Sequence, residues 1–360
     1  MHGVIRKNSV VVLATGLIFV ASAAAHAGPK GSGSSRASGG TDGPDITAGV
    51  SRVQITGGAG GGGSKETVKL TPQNSNWEPP ACWYEPKTSP KEVKETIESL
   101  EPPKRKPKKE KESGTIFDDL EDSNQDIADA VSKQAANAYK DYYQIDKYKK
   151  HLDEEGKGMF WEGVKNPDRK DDPEADKCSQ HAYWVPEGEK PKDVPLAVSP
   201  KVLAEYAYER LPIPRTEISM NPEGRQTVNL DTWVWADKAK FKPVSVTASL
   251  DNPELSVTTT ATPVSLTLEP GTENARVFPA SGKCTDLGEP YKRGKKDRTP
   301  PCGVRYLRAT GESGSYPLKA TLTWKVSWTS TDGDGESLPS GSFSTTRDVT
   351  VKEIQSIVRD

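Results

Sequence analysis

The side chains that could do chemistry in this 360-residue chain are four cysteines, two histidines beyond residue 27 and 51 Asp and Glu. A Ser–His–carboxylate triad would have to use His151 or His181. His151 reads as a cation at a helix end, His181 lies beside Cys178 and the Tyr183-Trp184 segment, and no Gly-x-Ser-x-Gly surrounds any serine. Gly58, Gly60 and Gly63 fit the Gly-x-Gly-x-x-Gly spacing, but they sit in a glycine tract with no strand before it or helix after it. Gly63-Ser64-Lys65 has the residues of a phosphate loop in the wrong order. Asp332-Gly333-Asp334-Gly335-Glu336 offers oxygen ligands yet lacks the remaining text of a calcium loop, and reads as a hairpin turn. No Cys-x-x-Cys or Cys/His cluster has zinc spacing. Paired carboxylates within residues 76–225 keep a hydrolase as the alternative, because acids are abundant and their separation in space is not visible in sequence. The expectation is no catalytic residue, no cofactor and no metal ligand.

The cysteines take their meaning from the N-terminus. Arg6 and Lys7 precede an apolar run from Val10 to Ala25, and Ala25-His26-Ala27 supplies the small-x-small pattern of a signal peptide over 1–27, with Gly28 as the new N-terminus. Export would place Cys82, Cys178, Cys284 and Cys302 in an oxidising compartment, where an even count suggests bridges. Four cysteines allow three connectivities. Proximity favours Cys82–Cys178 and Cys284–Cys302, the second worth about 3 kcal/mol in the loop-entropy treatment. No second apolar stretch or sorting sequence follows, so the mature chain is expected to be secreted or held non-covalently at the outer face of the envelope, meeting a membrane only through its signal peptide during export.

Between the second pair of cysteines lies a cluster of Lys292, Arg293, Lys295, Lys296 and Arg298 that contains one acid, Asp297. Five cations on a clipped loop make a candidate anion-binding loop for a wall polymer. A solvated loop is the plainer reading. With a net charge of −2 and only Tyr291 beside that cluster, no nucleic acid partner is expected.

The elements that must position these groups divide by composition. Only 33% of residues are hydrophobic, and 31 Gly and 29 Pro are spread along the chain. Residues 28–75 therefore read as a disordered Gly/Ser-rich linker, with Glu101–Ser113 as a second exposed linker rich in Pro, Lys and Glu. Residues 76–226 read as a disulfide-pinned region. Trp77, Trp83 and Tyr84 beside Cys82 suggest a small packed nucleus, and Pro90–Leu100 a short helix. Leu120, Ile127, Val131, Ala135, Ala138, Tyr142, Ile145, Tyr148 and Leu152 recur at helical spacing. They predict one long helix over about 115–155, capped near Thr115, stopped at Gly156 and packed by its stripe on the Cys82–Cys178 region. A strand is expected at Ala182–Val185 and a short helix over about 200–210, opened by Ser199-Pro200. From 227 to 354 the period becomes two. Val244, Val246, Ala248 and Leu250 alternate with polar residues, as do Leu255, Val257, Thr259 and Ala261, then Val264, Leu266 and Leu268. The longest run is Tyr316, Leu318, Ala320, Leu322, Trp324, Val326 and Trp328. Such alternation predicts antiparallel strands with one face on a core, assembled as a sandwich.

Within residues 198–352, the text LPIPRTEISMNP, VNLDTWVWADKAKFKPVSVTASL, VTTTATPVSLTLEPG and CGVRYLRATGESGSYPLKATLTWKVSW resembles a group of actinobacterial, Streptomyces-like secreted proteins. Tyr306, Gly314, Tyr316, Leu318 and Ala320 also resemble the strand pattern of PKD domains, although Leu268-Glu269-Pro270-Gly271 stands where an acidic-Gly turn is common. The resemblance implies a PKD-like or immunoglobulin-like β-sandwich and a role in extracellular spacing or adhesion. The expectation is a non-catalytic binding or structural protein whose partner is a cell-wall polymer or another envelope protein. An extracellular carboxylate hydrolase and a subunit of a surface assembly are the alternatives.

Overall fold

Alternating burial along the C-terminal strands organises the molecule. In the computed structural model, residues 51–57, 67–74, 76–104, 116–251, 254–294, 298–311 and 314–354 are described. The predicted signal peptide lies outside them, as does most of the first linker. The described chain opens with three short strands, β1 (Gln54–Thr56), β2 (Thr67–Val68) and β3 (Thr71–Pro72). A mixed region follows: β4 (Cys82–Thr88), α1 (Pro90–Leu100), α2 (Ile116–Tyr142), α3 (Ile145–Tyr148), β5 (Gly158–Lys165), β6 (Tyr183–Pro186) and α4 (Pro200–Tyr208). Short strands β7 (Ile213–Pro214), β8 (Ser219–Asn221), β9 (Gln226–Thr227) and β10 (Asp231–Trp235) lead into the β-rich part. That part comprises β11 (Val244–Leu250), β12 (Leu255–Glu269), β13 (Ala275–Phe278), β14 (Lys283–Thr285) and β15 (Gly303–Tyr306). It ends with β16 (Tyr316–Ser330), β17 (Gly335–Val349) and β18 (Val351–Lys352). The protein is mostly β, with several antiparallel sheets and a few helices. Among the described residues no helix is long and apolar enough to cross a membrane.

The main sheet runs β1-β11-β12-β16-β17-β3, with β14 also on β12. One face of β16 is apolar throughout, from Leu318 to Trp328, as the period of two requires. Over its first half, Leu318 and Ala320 join Leu266, Leu268, Val304 and Tyr306 in a core closed by the four-stranded sheet β13-β15-β10-β8. Over its second half, Trp324, Val326 and Trp328 pack with Leu203, Ala204 and Ala207 of α4 and with residues of β4 and β5. The runs at 255–261 and 264–268, separate strands by sequence, form the single strand β12. A bulge between Pro263 and Ser265 absorbs the change of parity. Val264 is the residue the bulge turns outward, and it is exposed.

The boundary at 226/227 does not separate two cores. Residues Pro44–Asp360 form one compact unit, and the larger core draws on both sides of that boundary. Locally, β9 pairs in parallel with β18. The Gln226 amide, fully buried, accepts from Thr232 Oγ1 at 2.5 Å and donates to the Pro222 carbonyl at 2.9 Å.

The long helix is the chief correction. Its stripe does not pack on the disulfide region: Leu120, Ile127 and Val131 are 55%, 63% and 61% exposed. Nor does the helix continue to Gly156. It ends at Tyr142, Gln144 takes a left-handed backbone (φ 47°), and α3 and a 3-10 turn at Lys149–Asp153 carry the chain onward. The break has a packing cause. Tyr143 turns into a cluster with Val93, Ile97, Ile145, Phe160 and Ala182, and the Ala182 N–H takes the carbonyl of Tyr142 at 2.9 Å. The predicted cap, Thr115, lies outside the described residues. The short helices are as expected. Ser89 and Glu92 form a reciprocal capping box on α1, and Ser199 caps α4 through the Val202 N–H. Cys82–Cys178 and Cys284–Cys302 are both bridged.

Candidate functional site

Among the described residues, two arrangements of ionisable side chains stand out, one closed in the interior and one around an open cleft. The closed one lies on the β4–β5 pair, where Glu85 and Glu162 are direct cross-strand partners. Glu85 is fully buried and accepts from Ser51 Oγ (2.8 Å), the Arg52 N–H (2.5 Å) and Trp83 Nε1 (2.8 Å). Glu162 accepts from Tyr143 Oη at 2.6 Å and from Thr88 Oγ1, with Lys87 Nζ at 3.8 Å. Burial lowers the Lys87 pKa below the ordinary lysine value. Burial, then the neighbouring Glu162 carboxylate, raises the Tyr143 phenol. These carboxylates use their lone pairs to pin the entering chain at 51–52 and the end of α2 to the sheet. They are two facing acids without access, so the geometry is that of buried, hydrogen-bonded support.

The open arrangement is a cleft of about 490 Å³ where the last turn of α4 meets the segments 69–79 and 166–172. It exists because α4 is laid flat on the main sheet. Leu203, Ala204 and Ala207 are fully buried on that side, and Thr259 Oγ1 donates to the Ala204 carbonyl at 3.1 Å. Tyr208, at the helix end, then meets the half-buried Trp77, with ring centroids 4.8 Å apart and planes at 62°. The two rings form a corner, not a stack. Leu70, Pro72 and Pro79 complete an apolar floor. Gly341 on β17 permits the approach from behind: a Cβ there would come within 2.5 Å of the Tyr208 hydroxyl and 2.7 Å of Leu70. The enclosed Tyr208 hydroxyl has no hydrogen-bond partner, and burial pushes its pKa up to about 12.

The rim is polar and internally paired. Arg169 is its hub, bonded to Glu78 (2.6 Å), to Asp172 and to the Pro79 carbonyl. Asp168 joins Lys69 (2.8 Å) to Arg210 (3.1 Å), and the Lys69 hydrogen bond lowers its pKa below the usual carboxylate value. Asp172 is held low chiefly by the Glu174 N–H, then by Arg169. Glu209 accepts from the buried Asn166 amide at 2.8 Å, with Arg210 at 3.6 Å. Behind the aromatic corner, burial raises the Glu205 pKa while a hydrogen bond from Trp77 opposes the shift.

No family model, curated protein or solved structure matches the chain.

The residues singled out in the sequence are scattered. His151 stacks on Trp184 at 4.4 Å and bonds Glu154 at 2.5 Å, while His181 lies against Tyr183. Neither lines the cleft. Residues 331–334 make the turn between β16 and β17, closed by the Ser330 N–H on the Asp334 carbonyl at 2.7 Å. Among the described residues no group of three or more His, Cys, Asp or Glu could hold a metal ion. In the clipped loop, Leu287 is buried and Tyr291 packs on Trp233 at 5.7 Å, which seats the loop's first half. Lys292, Arg293 and Arg298 are exposed beyond it, and Lys295 and Lys296 lie outside the described residues. Sequence reading selected Trp77 only as part of a packed nucleus, whereas that role falls to Trp83 and Tyr84, both essentially inaccessible. Arg169, Tyr208 and Glu209 were missed. The one local signal was Trp77 set between Asn76 and Glu78-Pro79-Pro80, a turn-rich setting that does not bury an indole completely.

Proposed function

We propose that this chain is an exported, non-catalytic protein that acts outside the cell as a binding or structural module, with its ligand in the Trp77–Tyr208 cleft. The observation that carries the reading is the state of the cleft's acids. Glu78 and Glu209 face an apolar floor of binding-site size, yet each is already engaged, by Arg169 and by Asn166 with Arg210. Both carboxylates are thereby tied into the rim as acceptors that shape it. The two disulfides support an oxidising location, and the N-terminal signal pattern supports export. The β-rich part, with one sheet half covered by another, supports an immunoglobulin-like or PKD-like sandwich of the kind the secreted Streptomyces-like proteins would carry. The partner under this reading is a polymer of the cell wall or another envelope protein.

Retention on isolated cell walls at low and high salt tests the proposal. Intact protein should be retained without releasing soluble fragments, and Trp77→Ala should reduce retention. If neutralising Lys292, Arg293, Lys295, Lys296 and Arg298 leaves low-salt retention unchanged, the loop has no part in it. The second reading, a carboxylate hydrolase, rests on Glu78 and Glu209 sharing one cleft. Steady release of reducing ends, abolished by Glu78→Gln and Glu209→Gln, would establish it and end the non-catalytic reading.

A further inference from the structure

Resting on that reading, the chemistry of the cleft narrows its ligand. Three properties bear on the choice. The floor is a corner of two aromatic rings extended by Leu70, Pro72 and Pro79, a surface that desolvates an apolar face. The rim offers donors from Lys69, Asn74 and Arg169 beside acceptors from Glu78 and Glu209. The charged residues that line the cleft itself, Lys69 and Arg169 against Glu78 and Glu209, balance, so a charged ligand gains little net Coulomb energy there. An apolar face edged by groups that both donate and accept hydrogen bonds is the surface of a sugar ring.

We propose that the cleft binds a short stretch of neutral glycan, one ring packed against the Trp77–Tyr208 corner and its hydroxyls bonded to Asn74, Glu78 and Arg169. A proline-rich peptide is the nearest rival, since such segments also dock on aromatic grooves. Extended peptides present carbonyl acceptors and need donors from the aromatic wall. The Tyr208 hydroxyl is withdrawn, enclosed behind the ring against Gly341, and the Trp77 indole has the Glu205 carboxyl beside it as a competing acceptor. Anionic polymers are directed elsewhere by the same charge balance, to the exposed cations Lys292, Arg293 and Arg298. The molecule would then carry two surfaces of different chemistry, one indifferent to salt and one sensitive to it.

The test uses the full disulfide-bonded protein and follows tryptophan fluorescence and heat of binding. The probes are a neutral N-acetylglucosamine tetramer, a neutral glucose tetramer, a polyglycerol phosphate and a proline-rich decapeptide. At least one neutral tetramer should bind saturably, with an affinity that changes less than about twofold between low and high salt. Trp77→Ala should weaken it about tenfold or more, the equivalent of ~1.4 kcal/mol, and Trp77→Phe should restore most of the loss. Glu78→Ala, on the exposed rim, should weaken binding several-fold in a protein of unchanged melting temperature, so a folding defect at Trp77 cannot hide the answer. The proposal is overturned if neither neutral tetramer binds, if only the peptide or the phosphate polymer does, or if both variants bind as the parent does. Wall retention that survives such a failure would leave the binding function standing and remove only the glycan. Hydrolysis of a tetramer would keep the glycan as ligand and end the non-catalytic reading.

Discussion

The apolar face of β16 is closed in two different ways along its length. Under Leu318 and Ala320 the cover is another sheet, and the core there is built from strand residues and the Cys284–Cys302 bridge. Under Trp324, Val326 and Trp328 the cover is α4 with the β4–β5 pair behind it, secured by Cys82–Cys178. The first half is regular. Among the described residues, the second carries three of the six enclosed side-chain polar atoms without partners: Trp324 Nε1, Trp328 Nε1 and the Tyr208 hydroxyl. It also carries the cleft, at the end of the covering helix. A helix meets a sheet along a ridge and leaves space at its ends, whereas two sheets interlock over their whole overlap. Binding surface is therefore found where the regular pattern gives way.

The two bridges offer the strongest way to separate the halves. Cys82–Cys178 spans a sequence separation of 96 and Cys284–Cys302 one of 18. If each acts mainly on the entropy of the unfolded chain, replacing Cys82 and Cys178 with alanine should cost about 4–5 kcal/mol, and replacing Cys284 and Cys302 about 3 kcal/mol. Urea unfolding of the two double variants gives the order directly. The reverse order would mean that packing, not the long tie, holds the helical cover in place.

A finer division comes from two leucines that are both fully buried, Leu203 in α4 and Leu318 in β16. Truncation to alanine should cost roughly 2–5 kcal/mol at either position, from lost transfer energy and the cavity left behind. Their effects on the cleft should differ. Leu203 holds the helix whose last turn carries Tyr208, so Leu203→Ala should weaken ligand binding as well as stability. Leu318→Ala should lower stability and leave affinity unchanged. Equal loss of affinity in both variants, measured well below their melting temperatures, would show that the two halves of the face move as one.

How far the sequence anticipates this arrangement follows the same division. Alternation from Val244 to Leu250 and from Leu318 to Trp328 is legible because a sheet with one dry face imposes a period of two on consecutive residues. The bulge at Val264 is hidden, since a single extra residue shifts parity without any composition cue. The cleft is less legible still. Trp77, Arg169 and Tyr208 belong to segments far apart in the chain, each unremarkable in its own setting. Glu85 and Glu162 look like two more acids among many, and only strand register reveals that they face one another in the interior. Charge and periodicity report local order, whereas a site assembled from three distant segments is a property of the tertiary fold.

The exposed half of α2 gives the smallest expected effect and the sharpest test of what periodicity means there. Leu120, Ile127 and Val131 have the spacing of a packed stripe, yet they are more than half exposed. Just past the end of the same helix at Tyr142 stand buried Tyr143 and, two residues later, buried Ile145. Serine and isoleucine have similar helix propensities, so Ile127→Ser changes side-chain packing with little effect on the backbone. It should alter unfolding stability by no more than about 0.5 kcal/mol, while Ile145→Ala should cost roughly 2–5 kcal/mol. A loss at Ile127 comparable to that at Ile145 would place the outer half of the helix against another surface in solution. Helical spacing would then have reported packing along the whole of α2, as the β alternation does along β16.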